Sequence, residues 1–182
     1  MPPLPPGPPG LVILDLDGVV YRGAAAVPGA AALVAALRAA GRAVRFATNN
    51  SMATRDEYVA RLAAMGIPVE RHEIVTSTSA TIAHLRTHLA SARRVLAVGA
   101  PGMLAEMDEA GLRATAAAEA VDEAWDGGPL PDAYDAVVAG LDPQIDYRRL
   151  AVAAAAIRAG TPFLATNADA RYPTPEGFVP GA

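Results

Sequence analysis

A chain of 182 residues that is 52% hydrophobic and 19% charged has material for one large domain or two small ones, and is not disordered as a whole. All 15 basic residues are Arg, and the absence of Lys and Cys excludes a Walker A phosphate loop, a Schiff-base lysine, disulfides, thiolate metal sites and a cysteine nucleophile. The net charge of −4, with the Arg residues scattered, argues against nucleic acid as a partner.

Residues 1–10 hold six Pro and no basic residue, so they read as a disordered Pro-rich tail and not as a signal peptide. Pro2 to Pro5 fits the PxxP spacing, which a floppy tail also produces. The most membrane-like stretch, Gly23 to Leu37, is interrupted by Pro28 and Gly29 and falls short of the roughly 20 residues a spanning helix needs. A cytoplasmic protein without a membrane partner is expected.

Leu11 to Leu14 is a short apolar run that ends in acidic residues, the pattern of a buried parallel strand. Pro28 opens an Ala/Leu-rich helical segment to Ala40, Gly41 stops it, and Ala43 to Ala47 is the next strand. Such a βαβ unit has parallel strands. It places Asp15, Asp17 and Thr48 just past neighbouring C-terminal strand ends, where open α/β sheets hold ligands. A helix over Arg55–Met65 follows, with Thr54 and Glu57 at capping-box spacing and Gly66 past its end. Another is predicted over Ser79–Leu89.

A fresh α/β pattern then begins, with the join at Leu89 to Arg94. Val95–Val98 is a strand, Pro101–Ala110 a helix, Ala136–Ala139 a strand, Tyr147–Ala159 a helix and Pro162–Ala165 a strand. The Gly/Pro-rich stretch from Asp122 to Asp132 reads as a surface loop.

The chemistry concentrates in Asp15-Leu16-Asp17-Gly18-Val19-Val20 and Thr48-Asn49-Asn50-Ser51. Past a strand end the backbone turns, so two Asp one residue apart can converge on one ligand. Paired carboxylates suit Mg²⁺, a hard cation that prefers oxygen. One carboxylate can attack phosphorus while the other moves the leaving-group proton. Gly18 permits a tight turn and a close approach of backbone to phosphate. Thr48 offers a hydroxyl, and the amides entering the next helix offer anion donors. A lone DxD would be ordinary strand-end solvation; the second motif one βαβ unit later makes a pair that solvation does not explain.

Other patterns have plainer readings. His84 and His88 share a helix face, but Leu85 stands where a metalloprotease helix has its Glu. His72, the Arg93-Arg94 pair and the Arg148-Arg149 pair read as solvated, and Trp125 sits alone in a loop. Gly99-Ala100-Pro101-Gly102 lacks the spaced glycines of a dinucleotide turn.

The two motifs together resemble the haloacid dehalogenase-like phosphatases, specifically subclass IIA, the p-nitrophenyl-phosphatase-like and NagD-like enzymes. The resemblance runs from Leu11 to Ala182 and includes Tyr21-Arg22-Gly23, Leu62 to Pro68, Val75-Thr76-Ser77, Gly140-Leu141-Asp142, Thr166-Asn167-Ala168-Asp169 and Gly177 to Gly181. It implies an α/β fold: a parallel-sheet Rossmannoid core, its N-terminal half at residues 11–91, and an incomplete α/β cap of the C2 type at residues 92–182. It also implies a Mg²⁺-dependent phosphomonoesterase acting through an aspartyl-phosphate on a small phosphorylated metabolite.

By that resemblance Asp15 is the nucleophile and Asp17 the general acid and base. Mg²⁺ rests on the Asp15 carboxylate and the Asp17 main-chain carbonyl, and Gly18, Thr48, Asn49 and Asn50 serve the phosphoryl group. Residues 18–23 form a mobile flap, and Arg171 and Tyr172 are the specificity candidates of the cap, which would also carry a homodimer contact. The family pattern continues with a Lys and a late Asp segment that supplies a third metal ligand. Neither is found here, so a truncated chain is expected. The alternative reading is a non-catalytic phosphometabolite-binding module; a dinucleotide-binding oxidoreductase is a third.

Overall fold

In the computed structural model, which describes residues 10–124, 134–174 and 177–181, the chain opens with the strand Leu11–Asp15 (β1). A hairpin of Tyr21–Arg22 (β2) and Ala25–Ala26 (β3), the helix Ala30–Ala39 (α1) and the strand Ala43–Thr48 (β4) follow. Next come the helix Arg55–Ala64 (α2), a 3-10 turn at Arg71–Glu73 and the strand Ile74–Thr76 (β5). Residues up to Thr48 form one compact unit with Arg55–Val75; Asn49–Thr54 and the chain from Thr76 onward form the other. The expected Pro-rich tail, except for Gly10, and Trp125 lie outside the described residues.

The sheet order in the first unit is β1-β4-β5, and β1 runs parallel to β4 with Asp15 in register with Ala47. The expected βαβ unit is therefore present. Asp15 and Thr48 are the last residues of their strands, not the first beyond them. α1 begins at Ala30, because Pro28 and Gly29 are spent on the turn before it. Val34 and Leu37 of α1, Val44 and Phe46 of β4, and Tyr58 and Leu62 of α2 are buried. That is one apolar face from each of these elements. β1, however, is not the buried strand the apolar run suggests: Leu11 and Ile13 are 58% and 61% exposed, so the other face of this sheet is uncovered among the described residues.

Arg38 at the end of α1 ties this unit together. Its guanidinium donates to both Glu73 carboxylate oxygens at 3.0 and 2.9 Å and to the Pro68 carbonyl at 2.6 Å. Forked Arg–carboxylate pairs are stronger than single neutral bonds, and this one is largely sheltered. Arg38→Ala is expected to lower the unfolding free energy by about 1–2 kcal/mol. A urea-denaturation midpoint indistinguishable from wild type would show that the fork adds nothing.

The second unit holds the helix Ser77–His88 (α3), the strand Arg94–Val98 (β6), the helix Pro101–Glu109 (α4) and the strand Arg113–Ala116 (β7). The helix Ala117–Ala124 (α5), the strand Ala136–Ala139 (β8), the helix Tyr147–Arg158 (α6) and the strand Phe163–Ala165 (β9) follow. Arg171–Thr174 (β10) and Gly177–Pro180 (β11) close it as an antiparallel pair. Its main sheet is parallel, in the order β7-β6-β8-β9.

Strand alternation divides the core of this unit in two. Val95 and Ala97 of β6 pack with Ile82 and Leu85 of α3 and with Met103 and Met107 of α4. Leu96 and Val98 face the other way, toward Ala120 and Val121 of α5 and Val152 and Ala156 of α6. The helices on both faces explain why the central strands β6 and β8 read as apolar runs.

Two expectations are corrected here. α3 starts at Ser77, two residues early, because Thr76 caps it: the Thr76 hydroxyl accepts the Ser79 amide at 3.0 Å, and the Ser79 hydroxyl accepts the Thr76 amide at 2.9 Å. The stretch expected as loop from Asp122 is still helix to Ala124, and the rest of that loop falls outside the described residues. β2, β3, β5, β7, α5 and the β10–β11 hairpin are additions to the expected elements.

Candidate active site

β1 ends in a closed turn that sets the two aspartates apart from the core. The Leu16 carbonyl accepts the amides of Val20 at 3.0 Å and Tyr21 at 3.2 Å. Gly18, at φ +82°, donates its amide to the Tyr21 carbonyl at 2.7 Å. A residue with a Cβ is strained at that φ, so glycine is required by the turn itself. Leu16, Val20 and Tyr21 are buried and anchor the loop, which leaves Asp15 exposed and Asp17 half-buried.

Asp15 Oδ1 accepts the Leu16 amide at 2.8 Å, which holds the carboxylate in one orientation. Thr48, on the strand beside it, is buried at the end of β4. Asp15, Asp17, Gly18 and Thr48 therefore gather at the C-terminal edge of one parallel sheet, as the motif order predicts. The Gly18 amide is engaged by the Tyr21 carbonyl, so this glycine serves the turn.

Beneath Asp17 lies a cluster that the sequence analysis did not find. The Tyr21 hydroxyl donates to Asp17 Oδ2 at 3.4 Å. The Arg61 guanidinium sits 5.5 Å from the Tyr21 ring centroid and 5.6 Å from that of Tyr58. Burial, and then the neighbouring Asp17 charge, push the Tyr21 hydroxyl up to about 12, so it is a proton donor at neutral pH. Burial raises Tyr58 as well. Tyr58 Oη is fully enclosed without a hydrogen bond of good geometry, though it lies near enough to the Thr48 hydroxyl for that group to moderate the rise. The one available sequence signal was an aromatic at Tyr58 in the otherwise charged run Arg55-Asp56-Glu57, four residues before buried Leu62.

Asn49 and Asn50 group with the second unit. The Asn49 carbonyl accepts the Ser77 hydroxyl at 2.8 Å and the Asn167 side-chain amide at 2.9 Å, and its own side-chain amide donates to Asp169. Asn50 Oδ1 accepts the Met52 amide at 2.9 Å, and buried Ser51 accepts the Leu141 amide at 3.0 Å. Thus Asn49 is gripped by residues 118 to 120 positions away. Arg171 is exposed at the start of β10, and Tyr172 is the next residue of that strand, paired in register with Val179.

Of the patterns set aside in the sequence, the Arg148-Arg149 pair is not simply solvated, because the Arg149 guanidinium donates to largely buried Asp142 Oδ2 at 2.9 Å. His84 and His88 lie against each other with ring centroids 4.3 Å apart, and the described residues contain no group of three His, Cys, Asp or Glu able to hold a metal. In the Gly99–Gly102 turn, a Cβ on Gly102 would fall 2.3 Å from the Met52 carbonyl oxygen, so this glycine permits close backbone packing. Among the described residues no helix is long and apolar enough to cross a membrane.

Residues 12–113 match a family model described as "haloacid dehalogenase-like hydrolase". An acid sugar phosphatase of Staphylococcus aureus is 32% identical over 169 residues, covering 93% of this chain and 60% of that protein. The crystal structure of a hypothetical protein from Pyrococcus horikoshii matches with a TM-score of 0.82 at 37% identity, covering 96% of this chain and 64% of that one. A glycerol phosphate phosphatase from Mycobacterium tuberculosis, solved in complex with magnesium, matches with a TM-score of 0.77 at 34% identity, covering 94% of this chain and 48% of that one. The chain spans about 60% of the length of the curated relatives it matches.

Proposed function

This chain belongs to the haloacid dehalogenase-like hydrolases, and on that premise we propose that it carries the nucleophile motif of a magnesium-dependent phosphomonoesterase acting on a small phosphorylated metabolite. The observation that carries the reading is the placement of Asp15 and Asp17 around the Gly18 turn at the end of β1, with Thr48 on the adjoining strand end. Names of relatives support it, since they include sugar and glycerol phosphate phosphatases.

Asp15 attacks phosphorus through a carboxylate oxygen; a new Asp15–O–P bond forms as the ester P–O bond breaks. Asp17 gives its proton to the departing oxygen, then takes one from the water that hydrolyses the aspartyl-phosphate. Thr48, Asn49 and Asn50 serve the phosphoryl oxygens, while Gly18 shapes the turn that presents Asp17. The Asp15 carboxylate and the Asp17 main-chain carbonyl fit magnesium, being hard oxygen donors for an ion that keeps several waters. When bound, magnesium neutralises charge on the transferring group.

Residues 11–91 are assigned to the catalytic core and 92–182 to the cap, with Arg171 and Tyr172 as its substrate-selecting residues. The exposed Tyr147 and Leu150 of α6 are apolar surface suited to a cap-mediated homodimer. The cysteine-free composition accords with a cytoplasmic location.

The test is p-nitrophenyl phosphate hydrolysis with Mg²⁺ and with EDTA. Turnover that needs Mg²⁺ and stops with EDTA is expected. Saturable binding of a phosphometabolite with no phosphate released in any metal would replace the enzyme by a binding module.

A further inference from the structure

We propose that the second unit carries a binding site for a small amphiphile with one anionic head, formed where α3 and α4 end side by side. Arg86 and Arg93 take the head, and Leu85, Leu89 and Leu112 take the apolar body. The site goes beyond the phosphatase reading and does not depend on it.

The cleft follows from how two helices stop. The Leu89 amide closes α3 on the Leu85 carbonyl at 2.8 Å, and the Ala92 amide then bonds the Leu89 carbonyl at 2.8 Å, so the chain turns at once toward β6. α4 ends at Glu109, and Gly111, at φ +77°, turns the chain into β7. Between these two turns lies a cleft of about 340 Å³. Its apolar wall is made of Leu85 and Leu112, both buried, and half-buried Leu89. A concave space of that size, apolar with a few charged groups, is the usual form of a small-molecule site.

The charged lining is cationic. The Arg86 guanidinium donates through Nη2 to the Ala110 carbonyl at 2.9 Å, and that of Arg93 donates through Nη1 to the Ala90 and Ala92 carbonyls at 2.9 and 2.7 Å. These bonds satisfy carbonyls at the chain turns and steady each guanidinium in the wall of the cleft. Each engages one nitrogen of a group with five N–H donors, whose fork fits a carboxylate or a phosphate-type head. No acidic residue lines the cleft. The neighbouring Asp135 carboxylate accepts the main-chain amides of Arg93 and Arg94 at 2.7 and 2.8 Å.

Position separates this cleft from a substrate site. It lies just before the first residues of β6 and β7, whereas open α/β sheets hold substrates at the opposite, C-terminal edge. An anion without an apolar body would leave the leucines unused, and an apolar molecule without charge would leave the guanidinium donors unused.

The test is calorimetric titration of the full chain with octanoate and, in a second arm, with hexylphosphonate, so that the carboxylate and the phosphate-type head are told apart. Saturable binding of one equivalent, with a Kd on the order of 0.1 mM for the better head, is expected. Acetate and 1-octanol, which carry the head or the body alone, should each bind at least about tenfold more weakly. Arg86→Gln and Arg93→Gln should each weaken binding by about tenfold, and Arg158→Gln, an exposed position on α6, should leave it unchanged. Thermal melting of each variant shows whether the loss of a carbonyl bond has unfolded it, and Arg93→Gln serves where Arg86→Gln has. No saturation with either head, or 1-octanol binding as tightly as octanoate, would overturn the proposal. Wild-type affinity in a cooperatively melting Arg93→Gln chain would do the same, and would leave the two arginines as caps for the chain turns only.

Discussion

Asp15→Asn is expected to abolish turnover while leaving the fold intact. Loss of the nucleophile from residues that act as a unit costs on the order of 10⁶ in kcat. Asparagine is nearly isosteric and has a carbonyl oxygen that can still accept the Leu16 amide, the bond that Asp15 Oδ1 makes now. The site is exposed, so no buried group loses its partner and stability should move by less than about 0.5 kcal/mol. The check pairs steady-state kinetics with thermal melting. Near-wild-type turnover would remove Asp15 as the nucleophile, and an inactive protein that no longer melts cooperatively would mean that its inactivity reports unfolding.

Asp17→Asn is expected to divide substrates by their leaving groups. General acid catalysis contributes roughly 10²–10⁴, and all of it is needed when an alkoxide departs. For glycerol phosphate, kcat/KM should fall by about that factor. For p-nitrophenyl phosphate, kcat/KM should fall far less, because it reports events only through transfer to Asp15. Its kcat should still drop, since Asp17 also activates the hydrolytic water, and a burst of p-nitrophenolate should precede a slow steady state. A uniform fall in kcat/KM for both substrates would reassign Asp17 from proton transfer to metal or structural support.

Much of this site was legible before folding. Asp15, Asp17 and Thr48 fell at strand ends because Leu11–Leu14 and Ala43–Ala47 are compact apolar runs, with a Pro/Gly-bounded helix between them. The same logic found β6, β8 and α6. It missed β7 because Arg-Ala-Thr-Ala has almost no apolar signal, and its strand character comes from its register with β6. It missed β10 and β11 because each contains a proline, which usually argues against a strand; both lie in a two-stranded ribbon, where each has an unpaired edge.

The supporting contacts were less legible for a different reason. Tyr21 and Arg61 are 40 positions apart, and only the packing of α2 brings the guanidinium against both aromatic rings. The partners of Asn49, Asn167 and Asp169, come from beyond the four-stranded sheet of the second unit. No local periodicity encodes such pairs. Residue type marked the groups that could react, whereas tertiary placement determined which groups hold them.

The central claim is that the phosphoryl group passes through Asp15, and borohydride trapping tests it most directly. The chain is mixed with p-nitrophenyl phosphate and Mg²⁺, quenched during turnover, reduced and analysed by peptide mass spectrometry. An acyl phosphate at Asp15 would be reduced to homoserine at that position, and the account predicts this product there, absent without substrate. Phosphate release with Asp15 unmodified, or with the reduced residue elsewhere in the chain, would contradict it.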